Sequence, residues 1–327
     1  MDRRAFLGRM TAALPATPLL THAQPSSSPQ IGFLSIGSRL QWGPLLAAFR
    51  AGLQEAGFAE GRNVRIEFRW ADGHDDRLPD LAADLVRRNV DVLVATGGPG
   101  PALAAKAATA TTPIVFTLGA DPIKLRLASS LGHPGGNVTG ITFITGQLSA
   151  KRVELLHELV PKANLIGLLM NPSNPNAESI SKEAHDAVRA LGREVHVLHA
   201  QTEKEIEAAF VSAGQLHVGA LFVGSDGFFF NRRERLAALA ARQAVPASFE
   251  LREFVVSGGL MSYGGSLSEV YRSAGVYAGK VLAGVKPADL PIQQPTRVEL
   301  AINLKTAKTL GLTIPQSLLL RADALIQ

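Results

Sequence analysis

The stretch VDVLVATGG, residues 90–98, decides the fold of this 327-residue chain. Its short apolar run predicts a buried strand, and the glycines that end it predict the loop at the strand's carboxyl end. Apolar residues at helical spacing precede it at Leu81, Leu85 and Val86, and a further helix is predicted at 101–109. A buried strand between two helices is typical of a parallel α/β sheet.

Outward from this stretch, the same alternation of strand and helix runs along most of the chain. Strands are predicted at 31–36, 64–70, 113–117 and 138–143 and, after a restart, at 165–170, 194–198, 220–223 and 245–247. The period-two pattern of 64–70 indicates a strand near the edge of its sheet. Two such runs predict two α/β lobes, each built on a doubly wound parallel sheet.

A third block, which runs from residue 260 to the end, is too short to be a domain. It contains predicted strands at 260–263 and 298–302, a helix at 268–282 and a terminal helix from Leu304. We expect this block to complete both sheets, so that the chain crosses between the lobes more than once. The predicted lobes are 31–143 plus 264–292 and 144–263 plus 293–327. Their crossings, which include 143–146 and 263–266, predict a hinge.

The N-terminal residues predict export from the cytoplasm. Arg3 and Arg4 precede an apolar, uncharged segment at 10–20, and Thr21 and Ala23 occupy the −3 and −1 positions of a cleavage site. The paired arginines predict a twin-arginine signal peptide at 1–23, cleaved after Ala23, and a flexible tether at 24–30. A periplasmic location follows from this prediction. The alternative is an unstructured N-terminus with two chance arginines.

Composition and motifs exclude several classes of function. The chain has no cysteine, which excludes disulfides, thiolate metal sites and cysteine nucleophiles. Its net charge is only +5 and its basic residues are scattered, so we expect no nucleic-acid binding. The dinucleotide motif, the phosphate-binding loop motif and the nucleophile-elbow motif are all missing. We therefore expect no catalytic residue, no metal and no cofactor.

The predicted strand ends are rich in hydroxyl, amide and glycine residues. Ligands of open parallel sheets bind beyond the carboxyl ends of the strands, and such residues suit a carboxylate or a phosphate there. For a single loop, ordinary helix capping is an equally good explanation, but six such loops facing one cleft favour ligand binding. Of the two aromatic residues nearest these ends, Trp42 is favoured over Tyr263 as a surface for a ligand to stack on.

Nine short motifs occur in an order that resembles one known family. They are 49–53 (FRAGL), 63–70 (NVRIEFRW), 76–79 (DRLP), 113–122 (PIVFTLGADP), 134–140 (PGGNVTG), 171–176 (NPSNPN), 259–264 (GLMSYG), 303–307 (NLKTA) and 310–315 (LGLTIP). They resemble the ABC-transporter substrate-binding family that includes tryptophan and tyrosine uptake receptors, with the type I periplasmic binding protein fold. The resemblance covers residues 31–325.

This resemblance implies that a small-molecule solute is captured between two lobes and delivered to an inner-membrane ABC permease, without catalysis. We expect the receptor to be a monomer. Carried over by position, the resemblance implies ligand contacts at Ser38, Thr96, Gly97, Gly98, Thr117, Asp121, Asn171, Asn174, Asp226 and Tyr263. The run 224–230 (GSDGFFF) departs from the family and leaves open whether the second lobe offers a more apolar wall.

The residues leave two other functions open. One is an exported hydrolase or lyase that acts through Asp121 or Asp226, and the other is a receptor that presents its ligand-bound form to a membrane sensor. For the ligand, neutral donors suit a carboxylate and an acid suits an ammonium group, which predicts an amino acid with an aromatic or branched side chain. The alternative is that both acids are solvent-facing helix caps and the ligand is uncharged.

Overall fold

The computed structural model of the protein describes residues 28–40, 42–143, 148–295 and 297–327. The predicted signal peptide at 1–23, most of the predicted tether and the predicted hinge positions 144–146 lie outside the described residues. The described part contains two mainly parallel sheets of five and seven strands, with helices between the strands. This architecture confirms the predicted α/β fold class.

The five-stranded sheet has the order β2-β1-β3-β4-β5, and all its pairings are parallel. Its strands are β1 (Gln30–Ser35), β2 (Arg65–Trp70), β3 (Val92–Thr96), β4 (Ile114–Leu118) and β5 (Val138–Thr142). Alternate residues of β3 enter two different cores, Val92 and Val94 on one side and Leu93 and Ala95 on the other. Burial on both faces explains why this run is apolar throughout.

The seven-stranded sheet has the order β12-β11-β10-β9-β8-β6-β7. Its strands are β6 (Leu165–Met170), β7 (Glu194–His199), β8 (Ala220–Val223), β9 (Ala247–Phe249), β10 (Met261–Gly265), β11 (Val298–Asn303) and β12 (Ala324–Ile326). The β10–β11 pair is antiparallel, whereas the other pairs are parallel. We call each sheet with the helices packed on it a lobe, the five-stranded one being the first lobe.

Twelve α-helices occur in the described part of the chain. They are α1 (Gly43–Glu55), α2 (Leu78–Arg87), α3 (Pro99–Ala108), α4 (Ser149–Leu159), α5 (Ala177–Ala190), α6 (Glu203–Gln215), α7 (Gly227–Asn231), α8 (Arg233–Arg242), α9 (Arg252–Val256), α10 (Leu267–Leu282), α11 (Leu304–Thr309) and α12 (Gln316–Arg321). None of the described helices is both long and apolar enough to span a membrane.

Helix α10 comes late in the chain yet packs on the first lobe, against α1, β4 and β5. Two glycines allow the helices to approach closely. A Cβ atom on Gly52 would lie 1.8 Å from the carbonyl oxygen of Arg272, and one on Gly275 would lie 2.1 Å from that of Phe49. Because neither contact leaves room for a side chain, glycine is required at both positions.

The chain passes between the lobes at three places. It leaves the first sheet after β5, returns between β10 and α10, and leaves again between Gln293 and β11. Gln293 forms an isolated bridge with Ile141 of the first sheet, whereas β11 lies in the second. The two sheets are therefore joined side by side, with their strand ends facing a common cleft.

Four local features differ from the predictions. The predicted terminal helix is two short helices, α11 and α12, followed by the short strand β12. Helices α7 and α9, each of five residues, were not predicted, because a single turn is too short for a periodic pattern. Strand β11 is antiparallel, because the chain reaches it from the first lobe and not through a crossover helix.

Candidate ligand-binding site

A cavity of about 630 Å³ lies between the two lobes. It is bounded by the segments that follow β1, β3 and β4 of the first sheet and β6, β8 and β9 of the second. These are the carboxyl ends of parallel strands, where open α/β sheets bind their ligands. A cavity of this size accommodates a small organic molecule.

Seven of the eleven predicted contact residues line this cavity. They are Trp42, Gly97, Gly98, Thr117, Asn171, Asn174 and Asp226. They come from five separate segments of sequence, which the convergence of strand ends brings together. The remaining four predicted residues, Ser38, Thr96, Asp121 and Tyr263, do not line it.

The four residues that do not line the cavity make other contacts. The Asp121 carboxylate accepts hydrogen bonds from the backbone N–H groups of Ile123 and Lys124, at 2.8 and 3.3 Å, and so closes a turn. Thr96 is fully buried within the first sheet, and Tyr263 packs against the core of the second. The carbonyl of Ser38 accepts the backbone N–H of Trp42 at 3.2 Å.

Asp226 is the most constrained acid of the cavity wall. Its carboxylate accepts hydrogen bonds from the side-chain amides of Asn171, at 3.2 Å, and Asn174, at 2.9 Å. It also accepts the backbone N–H of Phe229 at 3.0 Å, which makes it the N-cap of α7. Burial raises the pKa of Asp226, because desolvation outweighs these three sets of donors. The hydrogen bonds therefore fix the carboxylate in place, but they only partly offset the cost of removing it from water.

Behind Asp226 lies a buried ionic cluster that the sequence analysis missed. Arg152 of α4 is fully buried and donates from Nη2 to the carbonyls of Val223, at 2.6 Å, and Ser248, at 3.0 Å. Its guanidinium carbon lies 4.1 Å from the centroid of the Phe222 ring. Burial lowers the pKa of Arg152 to about 10, so its charge persists at neutral pH. Glu250, which lines the cavity, is the acid that faces this charge.

The first lobe contributes a second buried network, centred on Tyr271 of α10. Its hydroxyl accepts the indole N–H of Trp42 at 2.6 Å and also contacts Thr96 and Thr117. Burial raises the pKa of Tyr271 to about 12, so the hydroxyl stays protonated. Only 1% of Trp42 is exposed, and the centroids of its ring and the Phe230 ring lie 5.6 Å apart with the ring planes nearly perpendicular. Trp42 therefore forms the floor of the cavity and offers little open face for stacking.

Helix α3 begins at the cavity. Gly97 and Gly98 have φ values of 95° and 134°, and no side chain caps the helix at Gly98. Because Pro99 and Pro101 lack an N–H group, Gly100 is the first donor within the helix. The positive end of the helix dipole favours an anion at this position.

The two lobes touch each other around the cavity. A Cβ atom built on Gly227 would lie 3.7 Å from the carbonyl oxygen of Gly97, so the start of α7 faces the start of α3. The side-chain amide of Asn176 also donates across the cleft to the carbonyl of Gly119, at 3.4 Å. The Asp226 carboxylate and the donors of α3 therefore lie on opposite walls of one narrow space.

The apolar run at 224–230 supplies part of the cavity wall. Phe228 and Phe230 line the cavity, whereas Phe229 turns into the core and is fully buried. Phe254 and Phe249 also line the cavity and stack on each other next to Phe230, with centroids 4.7 Å apart. The second lobe thus offers an apolar surface beside Asp226.

The charge of the cavity wall is predominantly negative. Asp75, Asp226 and Glu250 line it. Burial raises the pKa of Asp75, and repulsion from Asp76 raises it further. Of the described lining residues, Arg232 alone carries a cationic side chain, and its guanidinium pairs with Glu203 at 3.1 Å. No group of three or more potential metal ligands occurs in the described ranges. Such a wall favours a ligand with a cationic group.

Comparison with known proteins gives consistent results. A family model described as ABC transporter substrate binding protein matches residues 45–326. A tyrosine-binding protein of Clostridioides difficile is 30% identical over 266 residues, which is 81% of this chain and 75% of that protein.

Two solved structures resemble this one over nearly their whole length. An ABC domain from Streptococcus pneumoniae in complex with L-Trp has a TM-score of 0.81 and 27% identity, and the match covers 92% of this chain and 100% of that one. A conserved domain protein from Vibrio cholerae has a TM-score of 0.82 and 26% identity, covering 91% and 99%.

Proposed function

Because this chain belongs to the ABC transporter substrate-binding protein family, it is the solute-binding component of a transporter and not an enzyme, and we propose that its solute is an amino acid. L-Tyrosine and L-tryptophan are the first candidates, since two relatives are described as binding them. The receptor acts as a monomer and delivers its ligand to an inner-membrane ABC permease.

One observation carries the amino-acid proposal. The Asp226 carboxylate and the open start of α3 lie on facing walls, close enough that a Cβ atom on Gly227 would lie 3.7 Å from the Gly97 carbonyl. An acid on one wall suits the α-ammonium group, and helix donors on the other suit the α-carboxylate. The apolar wall at Phe228 and Phe230 suits the side chain of an aromatic or branched amino acid.

Calorimetric titration with an amino-acid panel tests this proposal. L-Tyrosine or L-tryptophan should give saturable one-to-one binding that exceeds that of polar amino acids. Tyramine lacks the carboxylate and 3-(4-hydroxyphenyl)propionate lacks the ammonium group, so each should bind at least about tenfold more weakly than L-tyrosine. If no member of a full amino-acid panel produces heat, or if removal of either charged end leaves the affinity unchanged, the amino-acid proposal is wrong.

We further propose that ligand binding closes the two lobes, 31–143 plus 264–292 and 144–263 plus 293–327, about the three crossings. The contacts of Trp42 with Phe230 and of Asn176 with Gly119 support this idea, because they would break on opening. Small-angle scattering should give a smaller radius of gyration for the protein at saturating ligand than for the ligand-free protein. An unchanged scattering profile at saturation would exclude closure.

Export through the twin-arginine route to the periplasm is proposed from residues 1–23 alone. Arg3 and Arg4 are the pair that this export machinery reads, and cleavage is expected after Ala23. The double substitution Arg3→Lys/Arg4→Lys keeps the positive charge and removes the pair. In a host with the machinery, it should lower the periplasmic share of the protein. An undiminished periplasmic share would rule out this route.

A further inference from the structure

Glu250 is a second acid in the wall of the second lobe, and the family resemblance did not single it out. It follows β9, lines the cavity and is only 7% exposed. Its carbonyl oxygen would lie 2.2 Å from a Cβ atom on Gly264, so the strand beside it packs closely. The side chain is thus confined between the cavity and the interior of the lobe.

The charged and polar groups that face Glu250 come from three neighbouring elements. Arg152 of α4 is the only cation among them, Ser225 and Asp226 belong to the segment between β8 and α7, and Glu253 belongs to α9. The hydroxyl of Ser225 hydrogen-bonds to Glu250 and is also reached by Nη1 of Arg152 at 3.4 Å. Glu250 is therefore opposed by two acids and supported by one cation.

Arg152 compensates Glu250 incompletely, because its hydrogen bonds in the described part of the chain go to Val223, Ser248 and Ser225 and not to Glu250. Nη2 is bound to two backbone carbonyls, and Nε has no hydrogen-bond partner among the described residues. No ion pair within 4 Å involves Glu250 in the ranges that the structure describes. Desolvation and repulsion then raise the pKa of Glu250 to about 7, so that the protonated form is populated near neutral pH.

We propose that Glu250 is a ligand-binding residue that, together with Asp226, holds the cationic end of the solute, and that it gives up its proton when that cation binds. This inference rests on the proposed amino-acid function. On binding, the carboxylic acid loses H⁺ to the solvent, and the resulting carboxylate faces the ammonium group. The ammonium group of the ligand supplies the compensation for the Glu250 carboxylate that Arg152 does not provide.

The sign of the pH dependence follows from linkage. The ligand binds the ionised form of Glu250 more tightly, so binding lowers the pKa of Glu250 below its value in the empty cavity. Affinity therefore rises with pH up to and through neutrality and levels off above it, where the acid is already ionised. Below pH 6 the affinity should fall by up to about tenfold per pH unit.

Proton release can be counted without any variant. Titrations of the wild-type protein with L-tryptophan and with L-tyrosine are run in phosphate and in Tris, whose ionisation enthalpies differ. The difference in binding heat gives the number of protons released. We expect the release to be largest near pH 6, smaller at pH 7 and close to none at pH 8.5. A wild-type release below about a tenth of a proton across pH 6 to 7 would overturn the inference.

Two matched variants then assign the proton to a residue. Glu250→Gln should abolish the release at pH 7 and flatten the affinity between pH 6 and 8.5. Glu253→Gln removes a neighbouring acid that does not line the cavity and that raises the pKa of Glu250 less than burial and Asp226 do, so most of both effects should remain. If Glu250→Gln folds and still releases the wild-type number of protons, the assignment is overturned. If neither amino acid binds at any pH, the proposed function fails and this inference fails with it.

Discussion

Asparagine in place of Asp226 should weaken the binding of L-tyrosine or L-tryptophan by about ten- to a hundredfold. The substitution removes one charge and hardly changes the shape of the side chain. Hydrogen bonds to charged groups contribute about 1.5–3 kcal/mol each, which sets this range. Calorimetric titration at pH 8, where Glu250 is largely ionised, isolates the effect of Asp226.

The structure supplies both the fold control and the site control for this experiment. An asparagine side chain still accepts the backbone N–H of Phe229, so α7 keeps its cap, but its NH2 group replaces an oxygen that accepts from Asn171 and Asn174, so we expect a modest drop in melting temperature with the fold retained. Asp121→Asn is the matched control, because its carboxylate also accepts backbone N–H groups but does not line the cavity. It should bind like the wild type. Equal affinity of Asp226→Asn and wild type would exclude Asp226 from the ammonium site.

Arg152→Met is expected to lower the free energy of unfolding by about 3–5 kcal/mol, because it removes two buried hydrogen bonds from a charged group, each contributing about 1.5–3 kcal/mol. The carbonyls of Val223 and Ser248 lose their guanidinium donor, and Glu250 loses its only facing cation. Methionine preserves most of the apolar volume beside Phe222, so the loss reports the polar contacts. Urea unfolding at pH 7 measures it.

A surface arginine provides the comparison for this stability measurement. The Arg87 side chain is 69% exposed and pairs with Asp84 at 3.6 Å, so Arg87→Met should cost less than about 1 kcal/mol. Arg152→Lys keeps the charge but cannot reach two carbonyls and Ser225 at once, and it should fall between the two variants. A loss below 1 kcal/mol for Arg152→Met would mean that the cluster contributes little to folding.

Much of the fold could be predicted because its signals are local. The strand at 165–170 was predicted with the bounds that β6 has, and the alternating pattern of 64–70 identified the edge strand β2. A strand buried on both faces is apolar throughout, and a strand buried on one face alternates between apolar and polar residues. Both patterns can be recognised within a short stretch of sequence. Strand β12 was missed, because three residues after a helical stretch carry no such pattern.

The candidate site was predictable only where it lies at a strand end. Asn171, Asn174 and Asp226 follow β6 and β8 directly, and the structure joins them by hydrogen bonds. Asp121 follows β4 in the same way but turns back onto its own backbone. The residue type after a strand therefore indicated the edge of the cleft, whereas the direction of each side chain depended on its neighbours.

The sequence by itself determined the alternation of strands and helices, the restart after 143 and the family to which the chain belongs. These features depend on periodicity and on short motifs, which can be recognised in the sequence without knowledge of the fold. Only the tertiary structure decided which charges share the cavity wall. Arg152 and Ser248 are 96 residues apart and meet because α4 packs beneath β8 and β9. Burial and charge compensation are properties of such distant neighbours, so the raised pKa of Glu250 has no signature in the residues around it.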